Sequence, residues 1–341
     1  MTIDVYIFVA MPENEWLTDK IIYRERLYNM MDQLCEMSGK IKYRYIDNEI
    51  DYITIALLER KKYRKEYNSI YKYIKSKQKN CELMKFNLSF NINKIKKEDY
   101  HDKIVIMYFS KLIYEIILIA NICMMGSIDY CNSVIMVNNE YLDSKLERID
   151  AWSLQRAYDT MLKNKWPVNS DIKFSDGWSW HEKYLSYFDG FSINKTSRAI
   201  NALSRIFTFD QKAQDYSNEL LWAMIGIESL LANGKGGILD QIRENLSILF
   251  NDSTPHIRKI INNMYSYRSR FVHGDIDFQS FGYFFDAADR FIKYTDEQME
   301  TVDVSIAILV STLQYIINKN WSGIKFKSIV ENDVTIDQET K

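Results

Sequence analysis

Apolar residues in the second half of the chain recur every three or four positions, the spacing that places side chains on one face of a helix. The pattern predicts helices over 196–206, 216–231, 238–250 and 255–273, and one or two more between 283 and 318. The glycine-rich segment 234–237 separates two of these helices and lacks the spacing of a phosphate-binding loop, so we interpret it as a turn. This half of the chain is therefore predicted to be a helical bundle.

The first half of the chain mixes the periodicities of strands and helices. Short β-branched and aromatic runs predict strands at 3–9, 51–55, 83–95 and 134–137. Longer apolar stretches predict helices from Asn14 or Thr18 to about Met37, over 104–125, and over 144–163. This half is therefore predicted to be an α+β unit.

A break in the hydrophobic pattern between residues 168 and 194 separates the two halves. Turn-forming residues punctuate it, and its tryptophans and tyrosines indicate that it packs against the rest of the chain. The expected organisation is an N-terminal α+β domain at 1–168, an aromatic-rich connector at 169–194, a helical bundle at 195–320 and a C-terminal tail at 321–341. Only three prolines and eleven glycines occur in 341 residues. This scarcity favours long helices, so the predicted fold class is mainly α.

The most apolar stretch, residues 104–125, is long enough to cross a membrane. Lys111 and Glu115 interrupt it, and their i,i+4 spacing lets them pair on a helix, so we expect a buried core helix instead. The N-terminus has no basic segment before its apolar run, and the four cysteines lack metal-site spacing. We therefore expect a cytoplasmic protein that needs no membrane, metal or cofactor.

Residues 59–79 combine basic and aromatic side chains, with nine Lys or Arg residues against two Glu. Single-stranded nucleic acid binds such surfaces, because aromatic rings stack on bases while cations hold phosphates. Because the formal net charge of the chain is −2, attraction to nucleic acid has to come from a local patch of this kind. The candidate RNA-binding residues here are Lys61, Lys62, Arg64 and Lys65. The alternative is an amphipathic helix whose tyrosines pack inward and whose lysines are solvated.

The segment from Thr254 to Gly274 carries a start signal and a stop signal for one helix. Thr254 can cap its N-terminus with a proline in the first turn, and Gly274 can supply the left-handed residue that follows a helix end. One face of the predicted helix 255–273 is apolar and comprises Ile257, Ile260, Ile261, Met264, Phe271 and Val272. Arg268 falls in the middle of this stripe, whereas Arg270 lies on the opposite face.

Arg268 requires a partner at such a position, because burying an unpaired guanidinium costs several kcal/mol. The partner could be a carboxylate, a phosphate or another chain. His273 lies in the predicted last turn, near the negative end of the helix dipole, and imidazole exchanges protons near neutral pH. An anion-binding arginine and a proton-transferring histidine are the two parts needed to cleave a phosphodiester without a metal.

Three segments in this region resemble the HEPN superfamily, in particular its ApeA-like branch. They are Ser197-Arg198-Ala199-Ile200, Leu221-Trp222-Ala223-Met224-Ile225-Gly226-Ile227-Glu228-Ser229-Leu230-Leu231, and the segment from Met264 to Gly274. Arg268 and His273 match the RxxxxH motif of that superfamily. The resemblance covers roughly residues 195–320 and leaves the N-terminal half unassigned.

The resemblance implies a compact helical bundle that forms a homodimer in which two RxxxxH motifs share one cleft. Many members are metal-independent endoribonucleases of toxin–antitoxin, abortive-infection and other antiviral systems. By this resemblance, His273 would be the general base or acid for attack of a 2′-hydroxyl on the adjacent phosphate, and Arg268 would stabilise the charged transition state. The expected products carry a 2′,3′-cyclic phosphate and a 5′-hydroxyl. One motif histidine per chain is too few for a separate base and acid, which favours a two-chain site.

Three further residues have supporting roles under this hypothesis. Glu228 would pair with Arg268 and orient it, or would serve only the fold. Ser269 follows the motif arginine where the superfamily often has Asn, Asp or His, and its hydroxyl can still bind a phosphate. Arg270 is an additional candidate for contact with RNA. The expected partners are RNA, a second copy of the chain, and a phage- or antitoxin-derived regulator at the N-terminal domain.

The alternative hypothesis is a non-catalytic HEPN module that binds a nucleotide or acts as a dimeric interaction scaffold. The serine at position 269 favours this alternative. Arg268 and His273 would then stabilise a dimer interface. Under this hypothesis His273→Ala would leave the phenotype intact, while Arg268→Ala would unfold or monomerise the protein.

Overall fold

The computed structural model describes residues 1–11, 20–44, 50–59, 62–73, 81–89, 101–143, 146, 149–167, 170–185, 192–207, 216–234, 236–275 and 289–326. Within these ranges the chain forms ten α-helices and seven β-strands. The protein is mainly α with a small antiparallel sheet, in agreement with the predicted fold class.

A five-stranded antiparallel sheet lies in the N-terminal part of the chain. Its strands, in spatial order, are β4 (Thr54–Leu57), β5 (Cys81–Ser89), β1 (Thr2–Ala10), β6 (Tyr130–Val137) and β7 (Glu140–Leu142). Two shorter strands, β2 (Lys42–Arg44) and β3 (Ile50–Tyr52), pair with each other. Helix α1 (Lys20–Glu36) follows β1 and helix α3 (His101–Cys123) follows β5, so the four longer strands have the order of a split β-α-β motif.

Side chains of β1 alternate between the two faces of the sheet, as strand geometry requires. Val5 and Ile7 belong to the main hydrophobic core. Tyr6 and Phe8 point to the opposite face, where they pack with residues of α2 (Arg64–Tyr71) in a second, smaller cluster. The sheet therefore separates α2 from the main core.

Seven helices follow the sheet. They are α4 (Trp152–Asn164), α5 (Phe174–Tyr184), α6 (Lys195–Ile206), α7 (Tyr216–Leu231), α8 (Ile238–Phe250), α9 (Pro255–His273) and α10 (Asp289–Asn318). Helix α7 packs against α6, α8, α9 and α10, and α10 also packs against α4. The close approach of α7 to α10 depends on Gly226, because a Cβ atom there would lie 2.8 Å from methyl carbons of Leu309.

One hydrophobic core runs through both halves of the chain. It includes Val5 of the sheet, Trp178 of α5 and Leu313 of α10. Gln314 of α10 donates a hydrogen bond from Nε2 to the carbonyl of Ile122 in α3, over 2.7 Å. The predicted boundaries at residues 168 and 195 therefore do not separate two cores, and the predicted connector contains a buried helix, α5.

Two predicted elements differ in their bounds. The helix predicted over 144–163 begins only at Trp152, because Ile149 forms an isolated bridge with Tyr130 and so extends the edge of the sheet. The strand predicted over 51–55 is two strands, because β3 pairs with β2 whereas β4 pairs with β5 from Thr54 onward. Ile53 lies between them and donates its N–H to the carbonyl of Ile41. The predicted helix start near Asn14 or Thr18 lies outside the described residues.

Two helices are long and apolar enough to cross a membrane by length and composition alone: Lys103–Cys123 and Gln298–Asn318. In the first, 61% of the apolar window is buried inside the protein, and in the second, 83%. Lys111 and Glu115 pair as expected, with Nζ 3.7 Å from Oε1. Apolar helices in the core of a folded domain show such burial.

Candidate functional site

The bounds of α9 agree with the capping signals in the sequence. The Thr254 hydroxyl accepts a hydrogen bond from the N–H of Ile257 over 3.4 Å, and Pro255 occupies the first position. Gly274 has a φ of 78°, the left-handed conformation that favours glycine. The N–H of Asp275 donates to the carbonyl of Arg270 over 2.8 Å, which satisfies a helix-terminal acceptor. Helix α9 therefore ends at His273, as predicted.

The buried face of α9 differs from the prediction in two places. Its buried residues are Ile257, Ile261, Met264 and Tyr267. Tyr267 was missed because the predicted stripe comprised only Ile, Val, Met and Phe side chains, and Tyr267 lies about 20° beyond Ile260 around the helix. Val272 was expected to be buried, but it is 49% exposed because the last turn of α9 extends past the core. Around the helix Arg268 falls between Ile257 and Ile261, so it lies on the apolar face, in the part of α9 where that face becomes partly exposed.

Arg268 has a carboxylate partner. Its Nη2 atom lies 3.2 Å from Oε1 of Glu228, and the two side chains are 24% and 22% exposed. The contact is an ion pair without the alignment of a hydrogen bond, since neither Arg268 Nε nor Glu228 Oε1 has a hydrogen-bond partner among the described residues. The guanidinium also lies 5.9 Å from the centre of the Tyr265 ring. Arg268 is therefore oriented by Glu228, and because its unpartnered Nε is buried, a further acceptor can meet the guanidinium only through the partly exposed remainder of the side chain.

Glu228 is held in place by the packing of α7. Ile227 and Leu230 on either side of it are buried in the core. The hydroxyl of the adjacent Ser229 donates to the carbonyl of Lys195 in α6 over 3.0 Å. Lys195 in turn donates from Nζ to the carbonyl of Ala232 over 2.8 Å, which caps the end of α7. The carboxylate that meets Arg268 thus stands on a rigid helix.

His273 and Arg268 do not share one face of the helix within a single chain. Five residues along an α-helix correspond to a rotation of about 140° and a rise of about 7.5 Å. His273 is exposed in the last turn, and Arg270 is exposed as predicted. Ser269, between the two faces, is half-buried. One chain therefore supplies an oriented arginine and an accessible histidine, but not both on a single surface.

The predicted basic segment around residue 62 lies on another part of the molecule. Lys62 and Lys65 are exposed, and Ile70 is buried in the small cluster on the outer face of the sheet. Lys61 and the side chain of Arg64 lie outside the described residues. The burial of Ile70 with solvated lysines fits the amphipathic alternative, although Tyr63 is exposed. The apolar contacts of α2 and those of α9 belong to two separate clusters.

A buried ionic cluster joins α4, α7 and α10, and the sequence analysis missed it. Arg156 donates from Nη2 to Oε2 of Glu219 and from Nε to Oδ1 of Asp303, each over 3.0 Å. Ser153 donates to the other oxygen of Glu219 over 2.7 Å. The three charged side chains are less than 10% exposed. Burial raises the pKa of Asp303 to about 7, although Arg156 opposes the shift.

This cluster had a weak signal in the sequence. Asp303 stands inside the apolar run Val302-Asp303-Val304-Ser305-Ile306, and Glu219 precedes an apolar helix. A carboxylate in such a run needs a buried cation, and Arg156 is the one that the fold supplies. No spacing in the sequence links these three residues, because their contacts are tertiary.

Within the described ranges, no group of three or more His, Cys, Asp or Glu side chains is arranged to hold a metal ion. The expectation of metal-independent chemistry stays a prediction. No protein-family model, curated protein or solved structure matches this chain. The resemblance to the HEPN superfamily therefore rests on the motif residues and on the helices that carry them.

Proposed function

We propose that this chain is a metal-independent endoribonuclease of the HEPN type, active as a homodimer in cytoplasmic antiviral defence or as a toxin. The observation that carries the proposal is the pairing of two features on α9. Arg268 is partly exposed and is oriented by a single carboxylate, that of Glu228. His273 is exposed one and a half turns later, at the capped end of the helix.

Each of these side chains has a defined role in the proposed reaction. His273 accepts the proton of the 2′-hydroxyl as O2′ attacks the adjacent phosphorus. The bond from phosphorus to O5′ then breaks, and the leaving oxygen takes a proton from His273 of the partner subunit. Arg268 places positive charge beside the phosphate oxygens, where negative charge accumulates in the transition state. The products are a 2′,3′-cyclic phosphate and a 5′-hydroxyl.

The rotation between Arg268 and His273 favours a site that two chains complete. The side chains of Arg268 and His273 are about 140° apart around α9. A phosphate bound by Arg268 of one chain is therefore more accessible to proton transfer from a histidine of the other chain. The N-terminal sheet and α2 would then recruit RNA or receive a phage- or antitoxin-derived regulator. Both roles stay proposals for that half of the chain.

The first test is RNA cleavage by the purified full-length protein in EDTA. Wild type is compared with Arg268→Ala and His273→Ala, and we expect each substitution to abolish most of the activity. Helix α9 offers matched controls in its first turns, where His256 and Arg258 are exposed. His256→Ala and Arg258→Ala should cleave at the wild-type rate. A requirement for Mg²⁺, or cleavage that survives both motif substitutions, would refute the proposal.

A second candidate function is a non-catalytic HEPN module that binds a nucleotide or a partner protein. The ion pair between Arg268 and Glu228 favours it, because the pair already gives Arg268 a structural partner. Expression in a bacterial host separates the two candidates. A toxic wild type and a harmless, equally folded His273→Ala variant support the nuclease, whereas equal growth phenotypes support the module.

A further inference from the structure

Helix α9 has an unusual charge composition for this protein. Its nineteen residues include four Arg or Lys and two His, with no Asp or Glu. The whole chain, in contrast, has a formal net charge of −2. The neighbouring helix α8 shows the ordinary pattern of a solvated surface, with Asp240 and Glu244 beside Arg243. The cations of α9 therefore have no compensating carboxylate on their own helix, and Arg268 alone among them pairs with a described carboxylate, that of Glu228 in α7.

Five of the exposed side chains of α9 form one continuous stripe. It consists of Lys259, Asn263, Ser266, Arg270 and His273, all of them exposed. The spacings of four, three, four and three residues keep these positions within an arc of about 80°, and the stripe is about 21 Å long. It lies on the side of the helix opposite to Arg268. Among the described residues, none forms an ion pair or a side-chain hydrogen bond with any of the five.

We propose that this stripe binds the phosphate backbone of an RNA strand and leads it to His273. The inference rests on the proposed function, because it assigns the position of the RNA relative to the reactive histidine. Cations alternate with the neutral donors Asn263 and Ser266, and every side chain of the stripe can donate a hydrogen bond to a phosphate oxygen. At about 3.4 Å per phosphate along a stacked strand, the stripe spans about six phosphates.

The charge pattern favours a polyanion over a protein partner. A protein surface would meet a stripe of Lys259, Arg270 and His273 with scattered carboxylates, whereas a nucleic acid strand offers regularly spaced charges along its whole length. In a two-chain site the stripes of both subunits would repel each other unless an anion lay between them. RNA bound between the two stripes would thus favour dimerisation.

The effect of the stripe on binding follows from counterion release. Each phosphate contact contributes about 0.7 to the slope of log affinity against log salt for a single strand. Removal of the charges of Lys259 and Arg270 should therefore lower the magnitude of that slope by about 1.4. At 0.1 M salt the affinity for RNA should then be about twentyfold lower than that of wild type. Neither side chain has a described partner in the fold, so the protein should stay folded.

The experiment measures binding of a fluorescent RNA in which every 2′-hydroxyl is methylated, so that cleavage cannot occur. Fluorescence anisotropy is recorded at several salt concentrations for wild type and for the double variant Lys259→Gln/Arg270→Gln. The matched control is Lys40→Gln/Lys163→Gln, which removes two exposed charges elsewhere. We expect the twentyfold loss of RNA affinity and the smaller salt dependence only for Lys259→Gln/Arg270→Gln.

Two outcomes would overturn this inference. One is equal affinity of both double variants for the methylated RNA. The other is displacement of the RNA by polyglutamate as readily as by unlabelled RNA, which would assign the stripe to acidic proteins. Because the assay needs no catalysis, an inactive protein that still binds RNA through the stripe would refute the nuclease and leave the stripe supported.

Discussion

Arg156 and Arg268 both lie on apolar faces of helices, yet their surroundings differ. Arg156 of α4 is 7% exposed and donates to two carboxylates, Glu219 and Asp303, over 3.0 Å each. Arg268 of α9 is 24% exposed and meets a single carboxylate, Glu228, without a well-aligned hydrogen bond. Arg156 is thus buried and paired with two carboxylates. Arg268 is oriented by one carboxylate and keeps N–H groups that do not contact it.

The difference separates a structural arginine from a candidate functional one. A buried guanidinium with two carboxylates has no capacity for an additional anion, and its removal would leave two buried negative charges. A half-exposed guanidinium with one imperfect partner can accept a phosphate at little cost to the fold. Burial of an arginine alone therefore does not identify a site, and the number of its donors already in use is more informative.

The largest expected effect is on stability, from Arg156→Ala. The substitution leaves Glu219 and Asp303 buried without a cation, which should lower the free energy of unfolding by about 3–5 kcal/mol. The urea midpoint measures the effect, and the exposed Arg258→Ala variant should stay within about 0.5 kcal/mol of wild type. If the two variants unfold at the same urea concentration, the enclosed cluster does not stabilise the protein.

Arg268→Ala should reduce RNA cleavage strongly and change stability little. We expect RNA cleavage to fall by about 10²–10³-fold, because a group that stabilises transition-state charge is lost. The free energy of unfolding should change by no more than about 1 kcal/mol, since the ion pair is partly exposed. Single-turnover cleavage and urea unfolding are measured on the same preparation. A loss of stability as large as that of Arg156→Ala would erase the distinction between the two arginines.

The Arg156 cluster should also give stability a dependence on pH. The pKa of Asp303 is raised by burial to about 7, whereas an unfolded aspartate titrates near about 4. Between these values the native state binds more protons than the unfolded state. This contribution to stability therefore falls as the pH rises from about 4 to about 7 and is constant above that.

Asp303→Asn should remove this dependence, and urea midpoints from pH 5 to pH 8 provide the measurement. His181 acts in the opposite direction, because burial lowers its pKa to about 4, but it is common to both proteins and cancels in the difference. If the urea midpoints of wild type and Asp303→Asn change equally with pH, the Asp303 carboxyl does not bind the additional proton of the native state.

The smallest expected effect comes from Glu228→Gln. The neutral amide keeps the shape of the side chain but removes the charge that orients Arg268. Stability should fall by less than about 1 kcal/mol, and cleavage by about fivefold, the equivalent of about 1 kcal/mol in the barrier. A catalytic loss equal to that of Arg268→Ala would instead assign Glu228 a direct part in the reaction.

Local signals in the sequence predicted α9 well, because its caps and its stop signal lie within the helix itself. Thr254, Pro255 and Gly274 are sufficient to define its ends, and the exposure of Arg270 follows from helical periodicity. The pairing of Arg268 with Glu228 was one of the expected alternatives and is confirmed.

Contacts between distant segments could not be predicted. The Arg156 cluster joins residues up to 147 positions apart, and no local pattern encodes that distance. Val272 fits the apolar periodicity of α9, but its exposure depends on where the neighbouring helices end. The buried helix α5 was assigned to a connector because its tryptophans show no helical spacing, and only the tertiary fold shows that they fill the core.

The most direct test of the central claim is the chemistry of the RNA ends. An end-labelled RNA is cleaved in EDTA by wild type, His273→Ala and the matched His256→Ala, and the fragment ends are identified. We predict 2′,3′-cyclic phosphate and 5′-hydroxyl ends from wild type and His256→Ala, and no fragments from His273→Ala. Fragments with 3′-hydroxyl and 5′-phosphate ends, or undiminished cleavage by His273→Ala, would contradict the account.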